Sequence, residues 1–172
     1  MTRPQLIVCM GVSGSGKSTF GQSLAQRLKF PFLDADDLHT SRARHNMSAG
    51  IGLSEAERTR WMDRVCAQLR ARTEPCVMAH SALQRHNRER LRDCGMQVVF
   101  LYLDISAAAI ALRLARRRDH FASASLLPSQ FRALEKPENE PDVHFVAADK
   151  NVASLVDSTC EMLKTTINLS SK

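Results

Sequence analysis

Aromatic side chains are scarce in this chain: seven Phe, one Trp and one Tyr among 172 residues. Proteins that stack on nucleic-acid bases draw on such residues, and no RNA- or DNA-binding motif accompanies the basic ones. Nucleic acid is therefore not expected as a partner, although 24 Lys and Arg against 18 Asp and Glu leave a net charge of +6. Small anionic ligands account for that balance without an extended basic surface. Long hydrophobic runs are also missing. None approaches the roughly 20 residues of a membrane span, so no membrane association is expected. The apolar stretch from Leu6 to Met10 is too short for a signal-peptide core and runs straight into glycine, which makes a cytoplasmic location the expectation. The five cysteines are odd in number, far apart and without a Cys-x-x-Cys pair. Neither a disulfide framework nor a zinc site is legible in them, and they read as small core residues. Internal repeats, low-complexity tracts and linkers are absent too. At this length the chain reads as one domain over residues 1–172.

What is present is an alternation of strand and helix. Leu6–Met10 is a continuous apolar run of the kind a buried parallel strand shows. Residues 17–28 place Phe20, Leu24 and Leu28 at helical spacing, and Phe30–Leu33 leads as a second strand into Asp34, beginning at or after Pro31. Residues 35–53 read as polar and irregular. Ser54 with Glu57 is a capping box, predicting a helix to about Arg72. Strands are predicted at 76–79, 97–103 and 143–147, and helices at 84–94, 106–118 and 152–166, with another helix beginning at Pro128. The pattern predicts an α/β domain with a five-stranded parallel sheet covered on both faces.

Gly11-Val12-Ser13-Gly14-Ser15-Gly16-Lys17-Ser18 fits G-x-x-x-x-G-K-[ST] at every fixed position, with a strand before it and a helix after it. Glycines let the backbone curl so that successive N–H groups face phosphate oxygens. The following helix adds its positive end. The predicted nucleotide site is Gly11, Ser13, Gly14, Ser15, Gly16, Lys17, Ser18 and Thr19. Lys17 would reach the β/γ-phosphates of ATP and the Ser18 hydroxyl would ligate Mg²⁺. The plainer alternative is a tight glycine turn in an unrelated α/β protein. The chain lacks the Asn-Lys-x-Asp motif that reads guanine.

At the end of the second strand stand Asp34 and Asp36, where an open parallel sheet presents its ligand crevice. Two carboxylates at i and i+2 on an extended segment point the same way. One can hold the metal and the other can accept a proton from an acceptor hydroxyl. The alternative is that they cap the next helix, a task that Asp37 could take over.

Phe32-Leu33-Asp34-Ala35-Asp36-x-Leu-His39, Ser81-Ala82-Leu83 and His120-Phe121…Leu126-Leu127-x-Ser129-Gln130-Phe131-x-x-Leu134-Glu135-x-Pro137 together resemble the gluconokinase family. The resemblance runs from about residue 6 to 150, and its last block is the most specific. It implies a three-layer P-loop kinase fold like that of shikimate and adenylate kinases, with an acceptor-binding segment at about 37–72 and a mobile lid at about 116–127. It also implies ATP-dependent phosphorylation of the 6-hydroxyl of D-gluconate, and a homodimer. By position in the pattern, Asp34 and Ser18 would be the metal ligands and Asp36 would meet the sugar hydroxyl. Arg113 and Arg117 would meet ATP. Lys17, Asp36 and Arg117 are the expected catalytic set, and Asp36, His39, Arg58, Ser81, Arg88 and His120 the expected contacts to a sugar acid. Arg58, Arg88 and Arg92 would be available to its carboxylate, a partner that suits the guanidinium fork.

The chain departs from the family pattern in the acceptor half. Pro, Asn and Lys of the stretch after His39 are replaced by Thr40, Ala43 and Asn46, and two later prolines by Gly52 and Arg60. His80 replaces Cys, Gln84 replaces Lys, Asn87 replaces Tyr and Asp119 replaces the lid glycine. A kinase for a different small hydroxylated acid, or a nucleotide-binding paralogue without catalysis, are the alternatives these changes raise. His45, His80, His86 and His144 are expected at the surface or in turns, and Trp61 in packing at the foot of the acceptor helices.

Overall fold

The structure is a computed structural model, and it describes residues 3–116, 121–148 and 151–167. Five strands, β1 (Gln5–Met10), β2 (Phe32–Asp34), β3 (Cys76–Ala79), β4 (Gln97–Asp104) and β5 (Val143–Ala147), form one sheet in the order β2-β3-β1-β4-β5. Every pairing is parallel. The helices are α1 (Lys17–Leu28), α2 (Ser41–Ser48), α3 (Glu55–Arg70), α4 (Arg85–Arg92), α5 (Ala107–Arg116), α6 (Phe121–Ala133) and α7 (Val152–Thr166).

The apolar run of β1 is explained by its central place. Leu6, Val8 and Met10 face one core with Trp61, Met62, Val65 and Leu69 of α3 and Leu91 of α4. Ile7 and Cys9 face a second core with Phe20 and Leu24 of α1 and Leu155, Val156, Cys160 and Leu163 of α7. Alternate side chains thus feed opposite layers. All five cysteines are free and buried, as core residues. No helix among the described residues is long and apolar enough to cross a membrane.

The predicted strands and the closing helix fall where the pattern placed them, with β2 shortened to three residues. The Ser54–Glu57 capping box is present, each side chain bonding the other's backbone N–H. Two expectations are corrected. Residues 35–48 are not irregular: a 3-10 turn spans Ala35–Leu38, and α2 follows with Thr40 as its cap. The polar sequence hid both, because α2 buries only Ala43. A helix does not begin at Pro128 either; α6 starts at Phe121 and contains Pro128. Lacking an N–H, Pro128 forgoes one helical bond, and the helix continues through it. Of the expected lid region, about 116–127, residues 117–120 lie outside the described residues, Arg117, Asp119 and His120 among them.

Candidate active site

The phosphate loop connects β1 to α1 at the centre of the sheet's carboxyl edge. The order β2-β3-β1-β4-β5 sends successive connections to opposite sides of β1, which opens a crevice above it. Gly11 must be glycine there: at φ 146°, a Cβ would lie 3.0 Å from Ser15 Oγ and 3.3 Å from the Leu103 carbonyl. Gly16, at φ 97°, caps α1 in the left-handed region, and no side chain caps that helix. Its first N–H groups are thereby left for an anion. Lys17 Nζ folds back to donate to the Val12 carbonyl at 3.0 Å. Desolvation pushes its pKa down, and the Asp36 and Asp34 charges pull it back up. Ser15 is fully buried with an unpartnered hydroxyl. Thr19 is exposed on the first turn of α1.

Ser18 Oγ donates to Asp34 Oδ2 at 2.6 Å. The other oxygen of Asp34 accepts the Asp36 N–H at 3.1 Å. Asp34 therefore takes the task the sequence left open to Asp37: it caps the 3-10 turn. The pair is not on an extended segment. Asp34 ends the strand and Asp36 rides on the turn, so one carboxylate anchors the other. Two hard oxygen donors at the mouth of the loop suit Mg²⁺. Among the described residues no cluster of three or more His, Cys, Asp and Glu could hold a metal ion.

Asp36 has an exposed carboxylate, with His39 Nε2 3.6 Å from its Oδ1. Its pKa is held below the ordinary aspartate value first by His39, with Lys17 also lowering it against the opposing pull of desolvation. His39 is buried and stacks on Trp61, with ring centroids 4.5 Å apart. The Trp61 indole N–H donates to the Ala35 carbonyl at 2.7 Å, and the ring also stacks with His80 at 4.7 Å. Trp61 thus packs at the foot of α3, as expected, and also fixes the backbone next to Asp36. His80 is buried rather than in a surface turn. The strand before it is apolar and ends beside the phosphate loop, a position from which burial was legible.

Ser81 follows His80, and its carbonyl accepts the Gly11 N–H at 3.2 Å. Arg113 lies over the loop, donating to the Ser15 carbonyl at 3.1 Å and to the Ala148 carbonyl. Ser13 does not turn its amide to the crevice: its N–H donates to Gln130 Oε1 at 2.5 Å. Gln130 belongs to the most specific sequence block but had no assigned role, and it ties α6 to the loop. Val12 adds to that tie by packing with Leu127, Leu83 and Ile110.

The arginines expected at the acceptor are placed elsewhere. Arg88 is buried, and all of its N–H groups are committed within the protein. Nε and Nη2 bond the Glu140 carboxylate at 2.6–3.1 Å, Nη1 bonds the Ala82 and Leu83 carbonyls at 2.9 and 3.0 Å, and Nη2 also bonds the Glu135 carbonyl at 3.1 Å. Arg92 is bound to Asp142 at 2.7 and 2.8 Å and to Glu140 at 2.5 Å. Both fasten α4 to the segment before β5 and are not available to a substrate carboxylate. The acidic residues Glu140 and Asp142, two apart before β5, were the sequence signal for this. Arg58 is exposed on the first turn of α3, 3.4 Å from Glu55, and no contact among the described residues brings it to Asp36.

The assembled groups can cradle phosphates, hold a hard cation beside them and present an ionised carboxylate to a hydroxyl. Comparison with known proteins agrees with that chemistry. The family described as an AAA domain matches residues 6–137. The gluconokinase of Gluconobacter oxydans (strain 621H) is 39% identical over 152 residues, covering 87% of this chain and 85% of that protein. A solved gluconokinase from Sinorhizobium meliloti 1021 superposes with a TM-score of 0.84 at 33% identity, over 99% of this chain and 100% of that one. Shikimate kinase from Aquifex aeolicus vf5, 19% identical with a TM-score of 0.58 over 96% of this chain and 99% of that one, shares the fold.

Proposed function

The chain belongs to the gluconokinase family of P-loop kinases, and from that premise we propose that it transfers the γ-phosphoryl group of ATP to the 6-hydroxyl of D-gluconate. The observation that carries the reading is the linkage of Ser18 Oγ, Asp34 and the Asp36 amide at the mouth of the phosphate loop. It supports a reading in which Ser18 and Asp34 flank a cation and the Asp36 carboxylate, two residues on, faces the acceptor hydroxyl.

In this reading Ser18 and Asp34 hold Mg²⁺, which neutralises phosphate charge when bound. The loop amides and the start of α1 cradle the β-phosphate, and Lys17 leaves the Val12 carbonyl to reach the β/γ-phosphates. Arg113 stands by the loop backbone, while Arg117 is assigned to the developing charge from its place in the sequence. His120 is assigned to the acceptor on the same ground. The Asp36 carboxylate accepts a hydrogen bond from the substrate hydroxyl and orients its oxygen in line with the γ-phosphorus. As the new P–O bond forms, the bond to the β-phosphate oxygen breaks, ADP leaves and the hydroxyl proton passes to Asp36. A carboxylate held below its ordinary pKa is a weak base. Its work is mainly positioning, which suits a loose transition state in which the proton leaves late. The lid assigned to about 116–127 from the family resemblance would keep water from acting as acceptor.

Phosphorus NMR of the product tests the position of transfer. Phosphate on the 6-hydroxyl should give a monoester signal split by the two protons of a CH₂ group. Splitting by a single proton would place the phosphate on a secondary hydroxyl and contradict the reading.

A further inference from the structure

His80 occupies the junction of β3 and the phosphate loop, its backbone N–H donating to the Cys9 carbonyl at 3.1 Å. Its side chain is 1% exposed. One face of the imidazole lies on Trp61, with planes 17° apart. Nδ1 accepts the Ala82 N–H at 2.9 Å. That bond, from residue i to i+2, holds a turn in which Ala82 adopts φ 45°, a left-handed conformation that alanine rarely takes. An accepting Nδ1 carries no proton, so the neutral ring holds its hydrogen on Nε2. The neutral ring is the form this position keeps: burial pushes the His80 pKa down to about 4, outweighing the attraction of Asp36. Tautomer and plane are therefore both fixed, and Nε2–H is a permanent donor.

That donor has no partner in the described protein. A buried polar group left unpaired is costly, a cost that an arriving ligand oxygen would relieve. Trp61 stacks on both His80 and His39, and His39 Nε2 lies 3.6 Å from the Asp36 carboxylate, so the His80 ring belongs to the cluster behind the carboxylate assigned to the acceptor hydroxyl. Two groups otherwise expected to receive the acid, Arg88 and Arg92, are committed elsewhere.

We propose that the His80 Nε2–H is a specificity-determining donor of the acceptor site, bonding a hydroxyl oxygen of the bound acid close to the carbon that receives the phosphate. The inference rests on the gluconate-kinase reading above. The N–H is closed from solvent in this arrangement, and binding of the acid would open a path for the hydroxyl to it.

His80→Asn separates the two nitrogens, because an asparagine oxygen can accept the i+2 N–H while the Nε2–H is lost. His80→Phe keeps the ring on Trp61 and removes both nitrogens. Steady-state kinetics with D-gluconate and with its 4-deoxy and 5-deoxy analogues read the result, with melting temperature measured alongside. The expected result is a rise of about tenfold in KM for D-gluconate in both variants, from loss of a roughly 1.4 kcal/mol contact. KM for ATP should be unchanged. Wild-type enzyme should discriminate against one deoxy analogue, and His80→Asn should lose that discrimination. If either folded variant keeps the wild-type KM and discrimination, the donor role is overturned and the gluconate reading stands. If wild-type enzyme turns over no D-gluconate, the substrate reading fails and this inference fails with it.

Discussion

Replacing Asp36 with asparagine is expected to lower kcat by about a hundredfold to ten-thousandfold, the span associated with loss of a positioned acid–base group. ATP affinity should change little. Asparagine fills the same volume, and its backbone N–H still bonds Asp34, so the turn that caps on Asp34 Oδ1 is retained. What is lost is the charge near Lys17 and a place for the hydroxyl proton to go. Rapid-quench kinetics together with ATP binding by calorimetry separate the two effects. An Asp36→Asn enzyme with wild-type kcat would remove that carboxylate from the mechanism. A variant that also failed to bind ATP would mean that Asp36 supports the loop and not the acceptor.

The second large effect concerns stability and not turnover. Arg88→Met should destabilise the fold by about 3–5 kcal/mol, because it strands part of a buried carboxylate charge. It also leaves the Ala82, Leu83 and Glu135 carbonyls without their donor. For a chain of this size, a loss of that order corresponds to a fall in Tm of about 10 °C. The double variant Arg88→Met, Glu140→Leu should regain much of it, since an apolar pair can replace a buried ion pair. Arg88 also sets the acid behaviour of the protein. With Arg88 as the first cause, the Glu140 pKa is lowered from 4.5 to about 2. A carboxylate depressed in the folded state contributes stability fully above its unfolded pKa and loses it as pH falls through the folded one. In wild-type protein this contribution should fade between about pH 4.5 and pH 2, and in Arg88→Met much of it should already be missing at neutral pH. Thermal melts over that range check both statements. A variant melting within about 2 °C of wild type would show that the guanidinium is not bound as described, and would return Arg88 to the acceptor site.

The contrast between these two residues shows what was legible in the sequence. The phosphate loop carries fixed residue types because backbone conformation demands them, as Gly11 and Gly16 illustrate, so spacing alone located it. The central strand was legible because β1 is buried on both faces from Leu6 to Met10, which leaves no polar position in that run. The place of Asp34 and Asp36 at the sheet's carboxyl edge was legible because an apolar strand runs into them. Arg88 was misassigned because an arginine facing a cleft and one buried against glutamate look the same until the partner is brought near, here from 52 residues away. The fate of His80 depended likewise on Trp61, which approaches from another helix. The 3-10 turn and α2 were missed because they bury little, so no apolar period marked them. Gln130 was part of a recognisable block, yet its bond to Ser13 spans 117 residues, beyond any local pattern.

The measurement that bears most directly on the central claim is ADP release coupled to consumption of D-gluconate, run with Mg-ATP against a panel of related sugar acids. One ADP per D-gluconate consumed is expected, with kcat/KM for D-gluconate above that of the other acids. The substitutions at Ala43, Asn46, Gly52, Arg60, Gln84, Asn87 and Asp119 would then be tolerated within the family's activity. Preference for a different acid would contradict the assignment of D-gluconate and make those positions determinants of specificity. Bound ATP with no turnover on any acid would contradict the kinase account itself.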